Sequence, residues 1–186
     1  MRTTNRTASE NADAVGLVIA LLVRFPEIAT LVSHPNDGTL TVSFAVSKRL
    51  DRPSQAAVRE LVLEHTRTFT AFDGEPHGAL EVECECDDGM TFVRVTREAS
   101  SFTREELQML TALVAERFGD QLLKSPAVDD DFGDEDPAAQ DELIEYALEA
   151  LRDPSQQKSL VGFREEKRVL VYFVKARKKA KARARS

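Results

Sequence analysis

The sequence is poor in the residues that build covalent, metal-linked or phosphate-binding sites. It has two cysteines among 186 residues, at Cys84 and Cys86. Such a closely spaced pair is not a disulfide framework, and nothing else indicates an oxidising compartment. Its eight glycines do not cluster into a phosphate-binding loop. P-loop, dinucleotide-binding, zinc-protease and nucleophile-elbow motifs are all absent, so no enzyme class is indicated, and we expect no cofactor.

The chain also lacks a long apolar run. The run from Ala14 to Val23 is shorter than the roughly 20 residues that a membrane-spanning helix needs. It does not suit a signal peptide either, because Glu10 and Asp13 interrupt the basic lead-in and no small-residue cleavage site follows. We therefore expect a cytoplasmic protein without a membrane span.

The most unusual feature that is present is a division of charge. The chain carries a net charge of −7, yet its last twelve residues hold seven Lys or Arg and no acid. Residues 1–174 therefore carry −14. We call residues 175–186 the basic tail and expect it to be disordered. Its cations, the candidate sites for nucleic acid or other anions, are Lys175, Arg177, Lys178, Lys179, Lys181, Arg183 and Arg185.

Seven cations can displace counterions from a polyanion and bind it without sequence preference. The tail has no aromatic residue for stacking on bases, so we expect a tether rather than a reader of sequence. A solubilising tail without any partner is the alternative, because charge runs are weakly specific.

Residues 80–96 predict a β-hairpin. Apolar residues and cysteines alternate with glutamates up to Asp88-Gly89, a pair favoured in two-residue type I′ turns. This turn sets Cys84 opposite Val93 on the inner face. On the outer face it sets Glu83 opposite Arg94, as a cross-strand charge pair.

The preceding and following patterns repeat the order strand, strand, helix. A second hairpin is predicted from Ile28–Ser33 and the strand near residues 40–46, around Asp37-Gly38; the alternative is a short helix over residues 26–32. Helices are predicted at about 52–70 and after the capping box of Thr103 and Glu106. Two ββα units predict an α+β fold, in which helices pack on a mixed or mostly antiparallel sheet.

The ends of the chain complete the expected organisation. Residues 1–8 are predicted to be disordered, and residues 9–124 to form an α-ββα-ββα core that opens with a nearly all-round apolar helix over about 10–24. Such a helix belongs in the centre of the monomer or at a homodimer interface. Residues 125–136 form an acidic linker. Residues 137–174 are predicted to form a C-terminal helix and strand pair, which we assign to the same domain.

The last apolar strand, near residues 169–174, is apolar on both faces. We expect such a strand in the centre of a sheet or under cover on both sides.

Three groups of residues resemble metal or catalytic sites but do not meet the requirements of such sites. Cys84 and Cys86 with His65 and His77 are zinc-type ligands, but the spacing is not that of a structural zinc site. We expect the cysteines to be reduced, buried and metal-free, and His65 to lie on the apolar stripe of its helix. The acids after Val128 do not place glycine at the sixth position of a calcium loop. No catalytic, cofactor or metal residue is predicted.

Two functions follow from these observations. The first is a non-enzymatic cytoplasmic protein that binds a protein or an RNA-containing assembly, with the basic tail on an anionic surface. The alternative is a small enzyme or ligand-binding domain with its site between sheet and helices. A polar pocket that holds His65 or a cysteine beside a carboxylate would favour the alternative.

Overall fold

The computed structural model describes residues 15–16, 18–72, 78–124, 137–152, 158–165 and 168–175. Within them the fold is α+β, as the sequence predicted. The strands are β1 (Ile28–His34), β2 (Thr39–Val46), β3 (Leu80–Asp87), β4 (Met90–Glu98), β5 (Lys158–Glu165) and β6 (Arg168–Lys175). The helices are α1 (18–24, with 15 and 16 also helical), α2 (Arg52–Phe72), α3 (Arg104–Phe118) and α4 (Pro137–Arg152).

The strands form one six-stranded sheet in the order β3-β4-β2-β1-β5-β6. Each pair of neighbours is antiparallel, so the sheet is antiparallel throughout rather than mixed. The two ββα units join through β2 and β4, where Val42 lies opposite Val95. The C-terminal hairpin extends the other side of the sheet by pairing β5 with β1.

The β3–β4 hairpin has the predicted register and turn. Cys84 lies opposite Val93 and Glu83 opposite Arg94. Asp88 and Gly89 both have positive φ, at 43° and 78°, as a type I′ turn requires. The charge pair differs from the prediction, because Arg94 forms its ion pair with Glu85 rather than with the residue directly opposite. A long guanidinium reaches a diagonal neighbour as readily as a facing one.

The hydrophobic core lies between one face of the sheet and the helices. We call this the covered face. Alternate residues of the central strands contribute to it and are almost completely buried. The strand members of this core are Ile28, Leu31, Leu40, Val42, Phe44, Val46, Val82, Val93, Val95 and Leu160.

Local sequence signals set several helix ends. The backbone N–H of Ser54 donates to Asp51 Oδ1 at 2.9 Å and so caps the start of α2. The N–H of Glu106 donates to Thr103 Oγ1 at 3.2 Å, as the capping box predicts. Gly119 follows α3 with φ of 52°, a left-handed conformation that glycine adopts without a Cβ clash.

The described part of α1 belongs to the core of the monomer. Val18, Leu21 and Leu22 are fully buried within this one chain. α1 crosses β5 so closely that a Cβ added at Gly162 would lie 2.5 Å from Val18 Cγ1. The apolar circumference that suggested a homodimer is therefore largely used inside the monomer, and a dimer through this helix stays a prediction.

β1 is a strand, as predicted, so the helical alternative for residues 26–32 does not hold. Two other expectations from the sequence were wrong. His65 is exposed rather than on the buried stripe of α2, because the helix is rotated so that Val58, Val62, Thr66 and Thr70 face the core. The cysteines are half-buried, not buried, because β3 lies at the edge of the sheet, where α2 is the described helix that packs over it.

The largest correction concerns β6. Its run of apolar residues predicted a central or doubly covered strand, but β6 is the other edge of the sheet. Side chains on both of its faces are exposed to solvent, among them Tyr172 and Phe173. The hydrophobic pattern indicates that the side chains of β6 favour burial, but Tyr172, Phe173 and Val174 remain exposed in the monomer.

Candidate functional site

The sheet face opposite the helices, which we call the open face, is the most distinctive surface of the described chain. Its residues alternate with the core residues along each strand, and none belongs to the hydrophobic core. Its two ends differ in chemistry, so we treat them separately. The apolar end lies on β1, β5 and β6, and the polar end on β1 to β4.

The apolar end is a contiguous cluster, and we call it the apolar half. The strand registers set Val32 opposite Val161, Val161 opposite Tyr172 and Phe163 opposite Leu170. All of these side chains point to the open face, because each lies between inward-facing neighbours such as Leu31 and Gly162. The apolar half comprises Val32, Val161, Phe163, Leu170, Tyr172 and Val174.

Exposure in the apolar half rises toward the edge of the sheet. Val32, Val161, Phe163 and Leu170 are half-buried. The side chains of β6 are more exposed, at 52% for Tyr172 and 47% for Val174. A contiguous patch of exposed apolar side chains often marks a site of interaction, whereas single exposed apolar residues need no such explanation.

Aromatic stacking orders the surface of the apolar half. The rings of Phe163 and Tyr172 lie 5.7 Å apart between centroids and 19° from parallel. The two residues lie diagonally across the β5–β6 ladder on the same face. A ring held in this way loses little further rotamer freedom on binding, which is one reason tyrosine is enriched among the residues that dominate binding energy.

The polar end forms a broad groove of about 980 Å³. Its lining includes hydroxyl groups on β1, β2 and β4 and the side chains of Glu81, Glu83 and Arg94. Some of the hydroxyls already pair with one another, as Thr41 Oγ1 lies 2.9 Å from Thr96 Oγ1 and 3.3 Å from His34 Nε2. The groove is wide and open, whereas small-molecule pockets usually enclose most of their ligand.

On the covered face, the two cysteines occupy a small polar neighbourhood under the start of α2. Gln55 Nε2 donates to Cys86 Sγ at 3.2 Å, and the Cys84 thiol donates to the Gln55 carbonyl at 3.8 Å. Cys86 Sγ also lies 3.4 Å from Thr91 Oγ1. Burial raises the pKa of the Cys84 thiol above its ordinary value of 9.0. That shift keeps the thiol protonated, which is the opposite of an activated nucleophile.

A buried ion pair joins β4 to α3 on the covered face. Arg97 Nε donates to Glu106 Oε1 at 2.5 Å, and Nη2 donates to Oε2 at 3.2 Å. Arg97 Nη1 also donates to the carbonyl oxygen of Ala79 at 2.8 Å, at the entrance to β3. Both side chains are almost fully buried, and the hydrogen bonds fix three segments relative to one another. We assign this cluster a structural role.

The clearest pKa shifts in the chain lie away from the open face. Hydrogen bonds from Ser54 lower the pKa of Asp51. The pKa of Glu105 is lowered by its own backbone N–H and then by the Arg104 guanidinium. Both carboxylates lie at helix starts, where backbone donors favour the ionised form. These shifts reflect helix capping rather than general acid–base chemistry.

The structure places one of the seven candidate cations of the basic tail. Lys175 is the last residue of β6 and lies opposite Lys158, so the strand extends one residue past its predicted end. The other six, Arg177, Lys178, Lys179, Lys181, Arg183 and Arg185, lie outside the described residues, as do the acidic linker and His77. The first residue of the basic tail is therefore the last residue of the edge strand β6.

The sequence analysis did not predict an exposed apolar surface at the apolar half. The uninterrupted run of apolar residues in β6 was the available signal, but it was assigned to burial inside the monomer. His65 offers no site, as it is exposed and donates from Nδ1 to the Leu61 carbonyl at 2.8 Å. Within the described ranges, His, Cys, Asp and Glu do not gather in groups of three or more that would suit a metal ion.

Two further findings bear on the class of protein. Among the described residues, no helix combines the length and apolarity that crossing a membrane requires. Comparison with known proteins found no matching family model, no matching curated protein and no matching solved structure.

Proposed function

We propose that this chain is a non-enzymatic binding protein of the cytoplasm, which holds a protein partner on the apolar half of its open face. The exposure of apolar side chains on β6, led by Tyr172 and Val174, is the observation that carries the proposal. Interfaces concentrate their binding energy in a few aromatic and apolar anchors surrounded by polar residues. The apolar half has this composition, and the polar groove adjoins it.

The basic tail has a supporting role in this proposal. It begins at the end of β6, so it stays close to whatever covers that strand. Cations at the rim of an interface mainly accelerate association and make it sensitive to salt. We propose that the tail contacts an anionic surface of the same partner or assembly, with RNA as one source of such a surface.

Catalysis has less support than binding. The alternative placed a small active site between sheet and helices, where the described residues instead hold a packed apolar core. Cys84 and Cys86 contact Gln55 and Thr91 there rather than a base. Apolar anchors without a nucleophile beside a base favour binding over reaction.

Site-specific photo-crosslinking in cells tests the proposal. Tyr172 is replaced by the photoreactive analogue p-benzoylphenylalanine, and the matched control carries it at Phe72, an aromatic residue that is 87% exposed on α2, away from the open face. We expect a discrete protein adduct at position 172 that is absent at position 72 and survives nuclease. Truncation after Lys175 should reduce its yield at low salt.

Two outcomes would overturn the proposal. Identical adduct patterns at positions 172 and 72 would show that the apolar half has no preferred partner. Loss of the adduct after nuclease would identify RNA rather than protein as the molecule that contacts the apolar half.

A further inference from the structure

We propose that the protein partner on the apolar half also places a lysine or arginine side chain in the polar groove, beside Glu81 and Glu83 of β3. The contacting surface of the partner is then apolar at one end and basic at the other. The inference rests on the proposed function and specifies the chemistry of its partner. It depends on the continuity of the two surfaces, on two carboxylates without a counter-charge and on a nearly buried hydroxyl without a hydrogen bond.

The apolar half and the polar groove form one continuous surface. Both lie on the open face, and Val32 of β1 belongs to both. Neighbouring strands of a sheet lie about 4.8 Å apart, so the four strand steps from β5 to β3 span about 19 Å. An extended chain covers that distance in about six residues. A short segment of a partner can therefore contact both ends of the open face.

The β3 side of this surface has an excess of negative charge. Every second residue of β3 from Glu81 to Asp87 is an acid on the open face. Of the described residues of β3 and β4 on this face, only Arg94 is a cation, and it forms its ion pair with Glu85. Glu81 and Glu83 are exposed, and no described cation pairs with them. These two carboxylates remain available to a cationic group.

The other charges near the open face leave this sign unchanged. His34 and Asp37 also line the groove, and both already have partners. Glu98 adds a further acid at the end of β4. Beside the apolar half, Glu165 lies opposite Arg168, so these two exposed charges compensate one another. Because complementary charge favours the correct partner and disfavours others, the β3 side selects a basic group.

The lining of the polar groove includes a hydroxyl that the described fold does not use. Ser43 lies on β2 between Thr30 and Arg94 and is only 3% exposed. Its Oγ forms no hydrogen bond with another described residue, whereas Thr41 and Thr96 in the same groove pair with each other. Buried polar groups are normally hydrogen-bonded, and a donor from a ligand would satisfy this one. Ser43 thus indicates a polar ligand independently of the acidic side chains.

A partner suits this surface better than the basic tail of the same chain. Residues 175–186 supply cations but contain no apolar residue larger than alanine. The tail has the charge to neutralise the groove, but it has no side chain large enough to cover Tyr172 and its neighbours. A segment with one apolar end and one basic end is complementary to both parts of the surface.

Peptide binding to the full chain tests the inference. The probe is the fluorescein-labelled peptide Tyr-Val-Phe-Val-Ser-Gly-Ser-Gly-Ser-Arg-Lys-Arg, in which a five-residue spacer separates the apolar end from the basic end. We call it the basic peptide. A second peptide replaces its three cations by Glu, and a third lacks the spacer.

Fluorescence anisotropy should show saturable binding of the basic peptide. Binding of the Glu peptide should be at least about tenfold weaker, because favourable charge contacts become unfavourable. Binding of the peptide without a spacer should be at least about threefold weaker, because it cannot span the two sites. Equal binding of all three peptides, or no binding of any, would contradict the inference.

Protein variants separate the groove from the net charge of the chain. Glu81→Gln with Glu83→Gln should weaken binding of the basic peptide by about three- to tenfold at low salt and less at high salt. Glu60→Gln with Glu64→Gln makes the same change in net charge at exposed positions of α2 and should leave the affinity unchanged. Equal weakening by both pairs would show that only net charge matters.

Ser43→Ala tests the hydroxyl by itself. The affinity for the basic peptide should fall by about two- to tenfold, the usual effect of one hydrogen bond. The midpoint of urea unfolding should not fall, because the described fold has no hydrogen bond at this hydroxyl to lose. Either an unchanged affinity or a clear loss of stability would contradict the role assigned to Ser43.

The remaining outcomes distinguish this inference from the proposed function. A discrete protein adduct at position 172 without a preference for the basic peptide would keep the proposed function and remove the basic end of the partner. Absence of both would remove both. Binding of the basic peptide only after truncation at Lys175 would show that the tail occupies the groove of the full chain, and the inference would then be wrong.

Discussion

The two edges of the sheet, β3 and β6, differ in the way they meet solvent. On β3, four acidic side chains alternate with the residues that face the core: Glu81, Glu83, Glu85 and Asp87. α2 covers the inner face of β3, where Gln55 contacts both cysteines. On β6, the six residues between Arg168 and Lys175 are all uncharged, and side chains on both faces reach solvent.

The two edges therefore differ in how far their side chains protect them from pairing with another chain. Charged side chains on an edge strand disfavour pairing with another chain, because pairing would desolvate them or bring like charges together. β3 has this protection and β6 does not. The following experiments test this contrast, and with it the proposal that the β6 side of the sheet contacts a partner, from the largest expected effect to the smallest.

Removal of the Glu106 charge should have the largest effect, because it would break the support of the β3 edge. Glu106→Gln leaves the buried Arg97 guanidinium without a counter-charge, and Arg97 also holds the Ala79 carbonyl before β3. Loss of one partner of a buried pair costs about 3–5 kcal/mol. Urea unfolding should show that decrease in the free energy of unfolding. Hydrogen exchange should show faster opening of β3 than of β6.

The control for this experiment is Arg104→Gln, which removes ion pairs with Glu105, Asp141 and Glu145 near the protein surface. Its effect on stability should be far smaller, because exposed ion pairs contribute little. Equal losses for the two variants would contradict a special role for the buried pair.

Gly162→Ala should have the second largest effect, and it tests the support of the β6 side. The added methyl group would lie 2.5 Å from Val18 Cγ1 and 2.9 Å from Leu22 Cδ1 of α1. Extra volume in a packed core costs about 1–3 kcal/mol. Thermal and urea unfolding should both report the loss. The cost should fall in a Val18→Ala background, and an unchanged cost there would show that α1 does not restrict position 162.

Exchange of the protective charges between the edges should change association more than stability. Tyr172→Lys with Val174→Lys adds charge to β6, whereas Glu83→Val with Glu85→Val removes it from β3. All four positions are exposed, so each pair should change the free energy of unfolding by less than about 1 kcal/mol. Sedimentation velocity should show new concentration-dependent association of the valine variant only. Association of the lysine variant instead would reverse the assignment of the two edges.

The smallest effect concerns the Cys84 thiol at the covered edge. Burial raises its folded pKa above the unfolded value, so burial of the neutral thiol stabilises the fold below pH 9 and this contribution is lost as pH rises through the folded pKa. Mass spectrometry should find slower iodoacetamide labelling of Cys84 in the native chain than in urea at pH 8. The two rates should converge as pH rises above the folded pKa. Equal rates at pH 8 would show that α2 does not protect this edge.

Local signals accounted for much of the fold. The Asp88-Gly89 turn and the alternation around it predicted the β3–β4 register, because a two-residue turn and a half-buried face permit one pairing. Thr103 marked the start of α3 because its side chain accepts from the Glu106 N–H, a backbone group that the helix leaves unpaired. Pro137 likewise marked the start of α4.

Rotations of helices and the exposure of apolar strands could not be predicted in the same way. The predicted apolar stripe on α2 included His65. Apolar and polar residues alternate irregularly on this helix, so the pattern fits two faces that differ by a rotation of one residue about the helix axis. Buried threonines at positions 66 and 70 took its place, and the Thr70 hydroxyl donates to the Thr66 carbonyl within the helix. Threonine can satisfy its hydroxyl in this way and still face a core.

The sequence by itself determined the elements, the β3–β4 register and the helix caps, because each depends on residues that are close along the chain. Only the tertiary structure decided the strand order, which placed β1 between β2 and β5 and left β6 at the edge. Apolar residues favour burial away from water, but they do not specify which surface will bury them. In β6 the described fold supplies β5 on one side and leaves Tyr172, Phe173 and Val174 partly exposed, so the monomer satisfies only part of the preference that the sequence records.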